Sequence, residues 1–489
     1  MIIKLMNWLV KMKLEFIVFF SGAMCMILEM VGSRVVSPYF GNSLVVWTSL
    51  IGVILGCLSF GYYYGGKWAD KNPSFSVLSK LLLLGALSLG VSAFLKEQVL
   101  AWVQLMIGSD IRAGSFFSVL LLFGPVSVIF GMISPFAARI RVESLKNSGQ
   151  TVGTLYALST FGSIAGTFLA GFYLIPKFGN RDLLYGLSFG VLALSLLADR
   201  SAAIKKKTLI FILIFSLVFT RYTNVFRLNV LEDIDSQYNR ILVRQVFDHS
   251  RDRIIGISTD NAGIQSAFYP ARPDELYFNY LKSYRAYEEI NPDVRNALMI
   301  GGGGFSFPRY FINRSPDNSM DVVEIDPVMT ELARKYFLLK DNSNLSIFHQ
   351  DARIFLNESS EKYDCVFLDA FNSLTPPSHL TTKEFMLQIN NHLNDNGFVM
   401  INLISSLIGN NSAFLHGEVD TLKTVFPFVE VYRVDSNDDD RVQNFMVVGF
   451  KKSNSNKLSM GNPISLPKHR LSVFTDDWSP IEYLTRRYY

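Results

Sequence analysis

Seven apolar runs fill the first half of the chain, near residues 15–39, 44–66, 78–98, 114–137, 152–176, 182–199 and 208–224. Most reach the roughly 20 residues that a helix needs to cross a bilayer; the last two are short. Segments of this kind fold as helices, because lipid offers the backbone no hydrogen-bond partners. The first run is too long, too interrupted and too closely followed by others to be a cleaved signal peptide. These runs predict a multi-pass membrane domain of about seven helices over residues 1–229, with the lipid bilayer as a partner and the cell membrane as its location.

Charge divides the chain at the same place. Residues 1–230 carry 20 Lys+Arg against 8 Asp+Glu, which leaves 26 against 34 for the remainder of a chain of net charge +4. The cations of the first half sit in short loops and the second half is acidic, which argues against nucleic acid as a partner. One set of loops holds thirteen basic residues, among them Lys4, Lys67, Arg139 and Lys205 to Lys207, and the other set holds six. The positive-inside rule then puts the N-terminus in the cytoplasm. Seven spans would carry the second half outside, whereas one span fewer would keep it on the side of the N-terminus. We adopt the cytoplasmic placement as the expectation.

Gly162, Gly166 and Gly171 recur at a spacing that lets helix backbones touch in lipid. Glu29 and Arg34 lie within or at the end of the first run, where charges are costly and usually face a partner or a water-filled cavity. Five residues apart, they project about 140° from each other on a helix and need not pair. Cys25, Cys57 and Cys365 have neither metal nor disulfide spacing, and no metal is expected.

The second half is organised differently. Residues 230–290 read as a small β-rich lead-in, with strands at 241–243 and 253–257 and a turn at Asp260-Asn261-Ala262-Gly263. From residue 291 onward, strands at 297–300, 320–324, 345–348, 363–368 and 397–402 alternate with helices near 327–338 and 382–394. Such alternation predicts an α/β Rossmann-like domain of the methyltransferase type, with a parallel sheet and ligands bound at the carboxyl ends of its strands. Residues at those ends form a set: Gly301 to Gly304, Glu324, Gln350-Asp351-Ala352 and Asp369. Glycines leave bare backbone for a nucleoside, and Glu324 can take the ribose hydroxyls. Asp351 can accept from an adenine amino group, which leaves Asp369 at the reacting end. The turn lacks the third glycine of a dinucleotide fingerprint, so a mononucleoside sulfonium fits better than a nicotinamide.

The chain resembles the spermidine synthase family of aminopropyltransferases, in the form fused behind a multi-pass membrane domain. The resemblance rests on Ser236-Gln237-Tyr238, Asp260 through Gln265, Gly301-Gly302-Gly303, Val323-Glu324-Ile325-Asp326-Pro327, Asp351-Ala352 and Asp369. It extends to Leu28-Glu29 with Arg34, to Tyr156 through Thr160 with Gly162-Ser163, and to the tail from Thr475 to Leu484. It implies a cofactor that is S-adenosylmethionine or its decarboxylated form, and a thioadenosine product. It implies Asp369 as the catalytic base, Glu324 on the ribose, Asp351 and Ala352 on the adenine, and Gln237, Gln265, Gly301 and Gly303 as further cofactor contacts. Tyr238 falls on the substrate side. Two positions depart from the pattern. Gly304 stands where the family has an aspartate for the cofactor's amine, and Asn372 stands where it has a second aspartate beyond the catalytic one. Asp476, Asp477 and Glu482 in the tail are candidates to restore negative charge for a cationic substrate.

The leading expectation is a membrane-bound transferase that moves an aminopropyl group to a polyamine or other amine. Methyl transfer from intact S-adenosylmethionine to a membrane or exported substrate is the enzymatic alternative. A polyamine transporter or sensor with a non-catalytic soluble half is the alternative of another class. A homo-oligomer is compatible with all three.

Overall fold

The computed structural model describes the chain apart from residues 1, 42, 109, 143–147, 202–203, 223–228, 249, 260–262, 372–375, 410, 455, 468–472 and 486–489. The expected turn at Asp260 to Gly263 and the position of Asn372 therefore fall largely outside the described residues. The chain divides into two compact units, Met1–Leu228 and Asn229–Tyr489.

The first unit is all helical. Its helices are α1 (Ile2–Phe40), α2 (Leu44–Lys71), α3 (Phe75–Ile107), α4 (Ile111–Arg141), α5 (Ser148–Leu169), α7 (Asn180–Ala198) and α8 (Ile204–Tyr222). Between α5 and α7 a π-helical turn, Ala170–Leu174, leads into the short α6 (Ile175–Lys177). Three starts are capped by side-chain oxygens: Ser43 accepts from Val46 N (3.4 Å), Ser74 from Val77 N (3.3 Å) and Asp110 from Arg112 N (2.9 Å). Such caps satisfy amides that have no partner within the helix.

Among the described residues, six helices are long and apolar enough to cross a membrane, the last of them Asn180–Ala198. The expectation of about seven differs from this count only at the last run. The weak run at 182–199 qualifies, while α8 opens on Lys205, Lys206 and Lys207 and does not qualify within its described part. Lys207 is buried and donates to the carbonyls of Ser195 (3.2 Å) and Asp199, which ties the start of α8 to the end of α7. Further on, Ile214 is fully buried, and its side chain lies against Gly90 of α3.

Two helix crossings have no room for side chains. A methyl group at Gly162 would lie 2.0 Å from the Phe19 carbonyl oxygen, and one at Gly166 would lie 2.3 Å from that of Ala23. A methyl at Gly22 would lie 2.3 Å from the Ser159 carbonyl oxygen. α1 and α5 thus touch backbone to backbone. α2 and α4 do the same: a methyl at Gly61 would lie 2.2 Å from the Val128 carbonyl oxygen, and one at Gly131 would lie 2.4 Å from that of Leu58. A methyl at Gly171 would meet nothing within 4 Å, so that glycine takes no part. Ion pairs tie helix ends together: Arg139 with Asp70 (3.1 Å), Arg141 with Glu15 (3.0 Å), and Arg181 with Glu97. Glu29 and Arg34 are both half-buried on α1.

The second unit opens with an antiparallel four-stranded sheet, β1 (Val230–Asp235), β2 (Arg240–Phe247), β3 (Arg253–Ser258) and β4 (Ser266–Phe268). Two short helices follow, α9 (Asn279–Tyr284) and α10 (Tyr287–Ile290). The main sheet then contains β5 (Asn296–Ile300), β6 (Ser319–Val323), β7 (Leu345–Phe348), β8 (Tyr363–Leu368), β9 (Leu393–Ser405), β10 (Phe428–Arg433) and β11 (Gln443–Phe450). Their spatial order is β10-β11-β9-β8-β5-β6-β7. β5 to β9 run parallel, and β11 enters antiparallel to β9. The sheet is therefore mixed, not parallel throughout as the alternation predicts. Five helices accompany it: α11 (Ser306–Arg314), α12 (Pro327–Tyr336), α13 (Ala352–Glu358), α14 (Lys383–Asn391) and α15 (Ala413–Lys423), with α16 (Ile481–Leu484) in the tail. Two apolar cores lie on opposite faces of the sheet, since adjacent residues such as Leu298 and Met299 belong to different cores. This strand order, with its reversed penultimate position, is the Rossmann-like arrangement of the methyltransferase type. Its order reverses between β5 and β8, where such sheets bind ligands.

Candidate active site

The switch point is built from backbone first. β5 is followed at once by Gly301, whose φ is +93°, and Gly303 has φ +51°. A methyl at Gly301 would lie 2.4 Å from the carbonyl oxygen of Asp369, so the ends of β5 and β8 meet across a position that only glycine can fill. Asp369 N donates to the Ile300 carbonyl (2.8 Å), which fixes the carboxylate beside the turn.

Glu324, at the end of β6, holds the same turn from the other side. Its Oε2 accepts from Gly302 N (2.8 Å) and Gly303 N (3.1 Å), and its Oε1 from Asp326 N (3.0 Å). Burial pushes the Glu324 carboxyl above its ordinary value, and these three amides oppose the shift. They occupy three of its roughly four acceptor positions, so this acid shapes the turn as well as facing the cavity. Asp326 caps α12 through Val328 N (3.1 Å) and accepts from the Ser236 hydroxyl. Asp351 caps α13 through Arg353 N (2.8 Å) and accepts from His379 Nε2 at 2.9 Å.

Asp369 differs from these acids in that it caps no helix and both of its carboxylate partners are side chains. Asn402 Nδ2 donates to Oδ1 at 3.0 Å, and the Tyr280 hydroxyl donates to the same carboxylate. Burial pushes the Asp369 carboxyl up to about 7, against both of those hydrogen bonds, and nearby Glu324 adds to the rise. A carboxyl so placed exchanges its proton near neutral pH.

These residues enclose a cavity of about 370 Å³. Of the residues singled out from the sequence, Gln265, Gly301, Gly303, Glu324, Asp351, Ala352 and Asp369 line it. Gln265 is held by Thr259, whose N–H (2.6 Å) and hydroxyl (2.8 Å) both donate to its Oε1. Gln237 and Tyr238 are exposed and lie outside the lining. Asp476, Asp477 and Glu482 lie outside it as well. Asp476 pairs with Arg353 at 2.6 Å and takes Glu384 Oε2 on its N–H at 3.0 Å, so it clasps the tail to α13 and α14. The Arg353 hydrogen bond holds its carboxyl below the ordinary value.

Among the lining residues that escape the sequence reading are Tyr280, His379, Asn402 and Asn444. Asn402 had a signal. It is the one polar residue in the buried run Phe398-Val399-Met400-Ile401-Asn402-Leu403, and a buried amide needs a partner. Tyr280 and His379 lie in ordinary-looking segments and carry no comparable mark.

Fold and family match together define a transferase of the Rossmann-like class. Residues 287–434 match the family described as "Spermine/spermidine synthase domain", and the C-terminal part of the chain carries this domain. A polyamine aminopropyltransferase of Vibrio vulnificus is 29% identical over 238 residues, 47% of this chain and 77% of that protein. Polyamine aminopropyltransferase 2 of Aquifex aeolicus is 24% identical over 408 residues, 78% of this chain and 77% of that one. That alignment is longer than the second unit alone, so the similarity reaches into the helical half. An N-terminal histidine N-methyltransferase of Emericella nidulans is 31% identical over 176 residues, 34% of this chain and 30% of its own length. Other aminopropyltransferase relatives are matched over about half of theirs, 52% in two cases.

Proposed function

We propose that the protein is a membrane-bound aminopropyltransferase, whose second unit moves an aminopropyl group from a decarboxylated S-adenosylmethionine-type cofactor to an amine. The observation that carries this reading is Asp369: a buried carboxyl at the end of β8, beside the glycine turn, with a proton affinity near neutral. The residues present suit such a cofactor. The turn from Gly301 to Gly304, Glu324, Asp351 and Ala352 line one cavity; the turn would offer bare backbone, Glu324 would hold the ribose, and Asp351 with Ala352 would border the adenine. When bound, a sulfonium nucleoside supplies a carbon activated for displacement and a thioether that leaves without charge.

In this reading Asp369 takes a proton from the attacking ammonium and aligns its nitrogen with that carbon. Alignment contributes most of the acceleration. Glu324 fixes the ribose while keeping the turn in shape. Gln265, pinned by Thr259, closes the wall near Ser266. The helical half anchors this unit to the membrane, with the catalytic unit on the cytoplasmic side where sulfonium nucleosides are made.

One observation favours methyl transfer instead. No carboxylate stands at Gly304, and a methyl there would already lie 2.7 Å from the Phe337 ring, so the site offers the cofactor's ammonium no acid at that point. The product decides. Purified full-length protein incubated with an amine and the decarboxylated cofactor should release methylthioadenosine, and with the intact cofactor it should release no S-adenosylhomocysteine. S-adenosylhomocysteine would replace the first reading by methyl transfer, and neither product would leave a binding protein.

A further inference from the structure

We infer that Asn402 and Asn444 form an amide relay that, with Tyr280, positions Asp369 and sets the state in which it meets the amine. The inference rests on Asp369 being the base proposed above. Asn402 lies on β9, and its register partner on the antiparallel β11 is Met446. Asn444 is two residues away from Met446 and shares its face, so the two amides are diagonal neighbours above the sheet. Asn444 Nδ2 donates to Asn402 Oδ1 at 2.8 Å, and Asn402 Nδ2 donates to Asp369 Oδ1 at 3.0 Å. Asn402 is 3% exposed, and both amides line the cavity.

An isolated amide beside a carboxylate can turn either end towards it. The oxygen end repels the charged form and the nitrogen end stabilises it. Because Asn444 occupies the oxygen of Asn402, only the nitrogen is left for Asp369. Asn444 thus acts on the carboxylate without touching it. The titratable groups facing Asp369 are Tyr280 and Tyr284 from α9 and Glu324 from the end of β6. Both tyrosines are held neutral by burial, so they act as hydroxyl donors. The Tyr284 hydroxyl is taken up by the Leu368 carbonyl at 3.2 Å, which leaves Tyr280 and Asn402 as the donors on the carboxylate.

The test is the pH profile of kcat/KM in the full-length protein for Asn444→Asp, Asn444→Leu and Tyr280→Phe. Asn444→Asp is nearly isosteric but has no N–H to give, so Asn402 turns its nitrogen to the new carboxylate and its oxygen to Asp369. Its acid limb should move up by about one unit or more, with activity returning as the pH is raised. Asn444→Leu frees the amide and should move the limb less, and Tyr280→Phe should move it in the same direction independently. A uniform loss at every pH, or an unmoved limb in all three variants, would overturn the relay. Direct titration of Asp369 by NMR in protein carrying 13C-labelled aspartate reads the same shift without turnover. If the parent protein shows no transfer but its Asp369 titration moves in Asn444→Asp, the proposed activity fails and the relay stands.

Discussion

A carboxyl that burial holds near pH 7 keeps its proton in the folded chain over a range where the unfolded chain has lost it. Asp369 is such a group, and the sign of its effect follows. The folded form binds more protons above the ordinary carboxylate range, so this residue's contribution to stability falls as pH rises through about 7. Asp369→Asn should therefore abolish turnover and stabilise the fold at neutral pH by about 1–3 kcal/mol, a gain that shrinks towards pH 4. Chemical denaturation at the two pH values checks it, and near-normal turnover in the variant would remove Asp369 from the role of base. Glu324→Ala should weaken binding of methylthioadenosine by about 1–3 kcal/mol in calorimetry. Part of that loss is indirect, because the amides of Gly302, Gly303 and Asp326 lose their acceptor.

At the level of elements, the parallel strands β5 to β8 are legible in the sequence to within a residue or two, because buried parallel strands read as short apolar runs between turn residues. β10 and β11 are not, because an antiparallel return is specified by pairing with distant β9, which no local pattern reveals. The same holds at the site. Glycines and strand-end acids announce themselves, as at Gly301, Glu324, Asp351 and Asp369. Asn444 and Tyr280 acquire their meaning only when β11 and α9 arrive. Gly301→Ala tests the joint between β5 and β8: a methyl 2.4 Å from the Asp369 carbonyl must displace the base, so turnover should fall at least 100-fold while the folding transition persists. In the helical half, Gly162→Leu should separate α1 from α5. Lower yield of detergent-extracted protein and a reduced melting temperature would report this, and an unchanged melting temperature would argue against the close crossing.

For the whole molecule, the second unit has its own sheets, its own two cores and a cavity lined from within itself. Residues 229–489 expressed alone should be soluble and bind methylthioadenosine; insoluble material would count against a self-contained unit. In the proposed membrane-bound reading, with the N-terminus cytoplasmic, the side taken by the second unit depends on α8. Six spans would return the chain to that face, a seventh would deliver the second unit outside, and the burial of Ile214 against Gly90 is the packing that a seventh span would show. A reporter fused after Tyr489 should be active on the cytoplasmic side; activity on the other side would overturn that placement and the need for a cytoplasmic cofactor with it. The glycine crossings have a mechanical consequence. Helices whose carbonyls meet the partner's bare Cα atoms cannot slide or twist without collision, so α1 with α5 and α2 with α4 behave as two welded struts. Any rearrangement of the helical half in response to the second unit would have to hinge between these struts, never inside one.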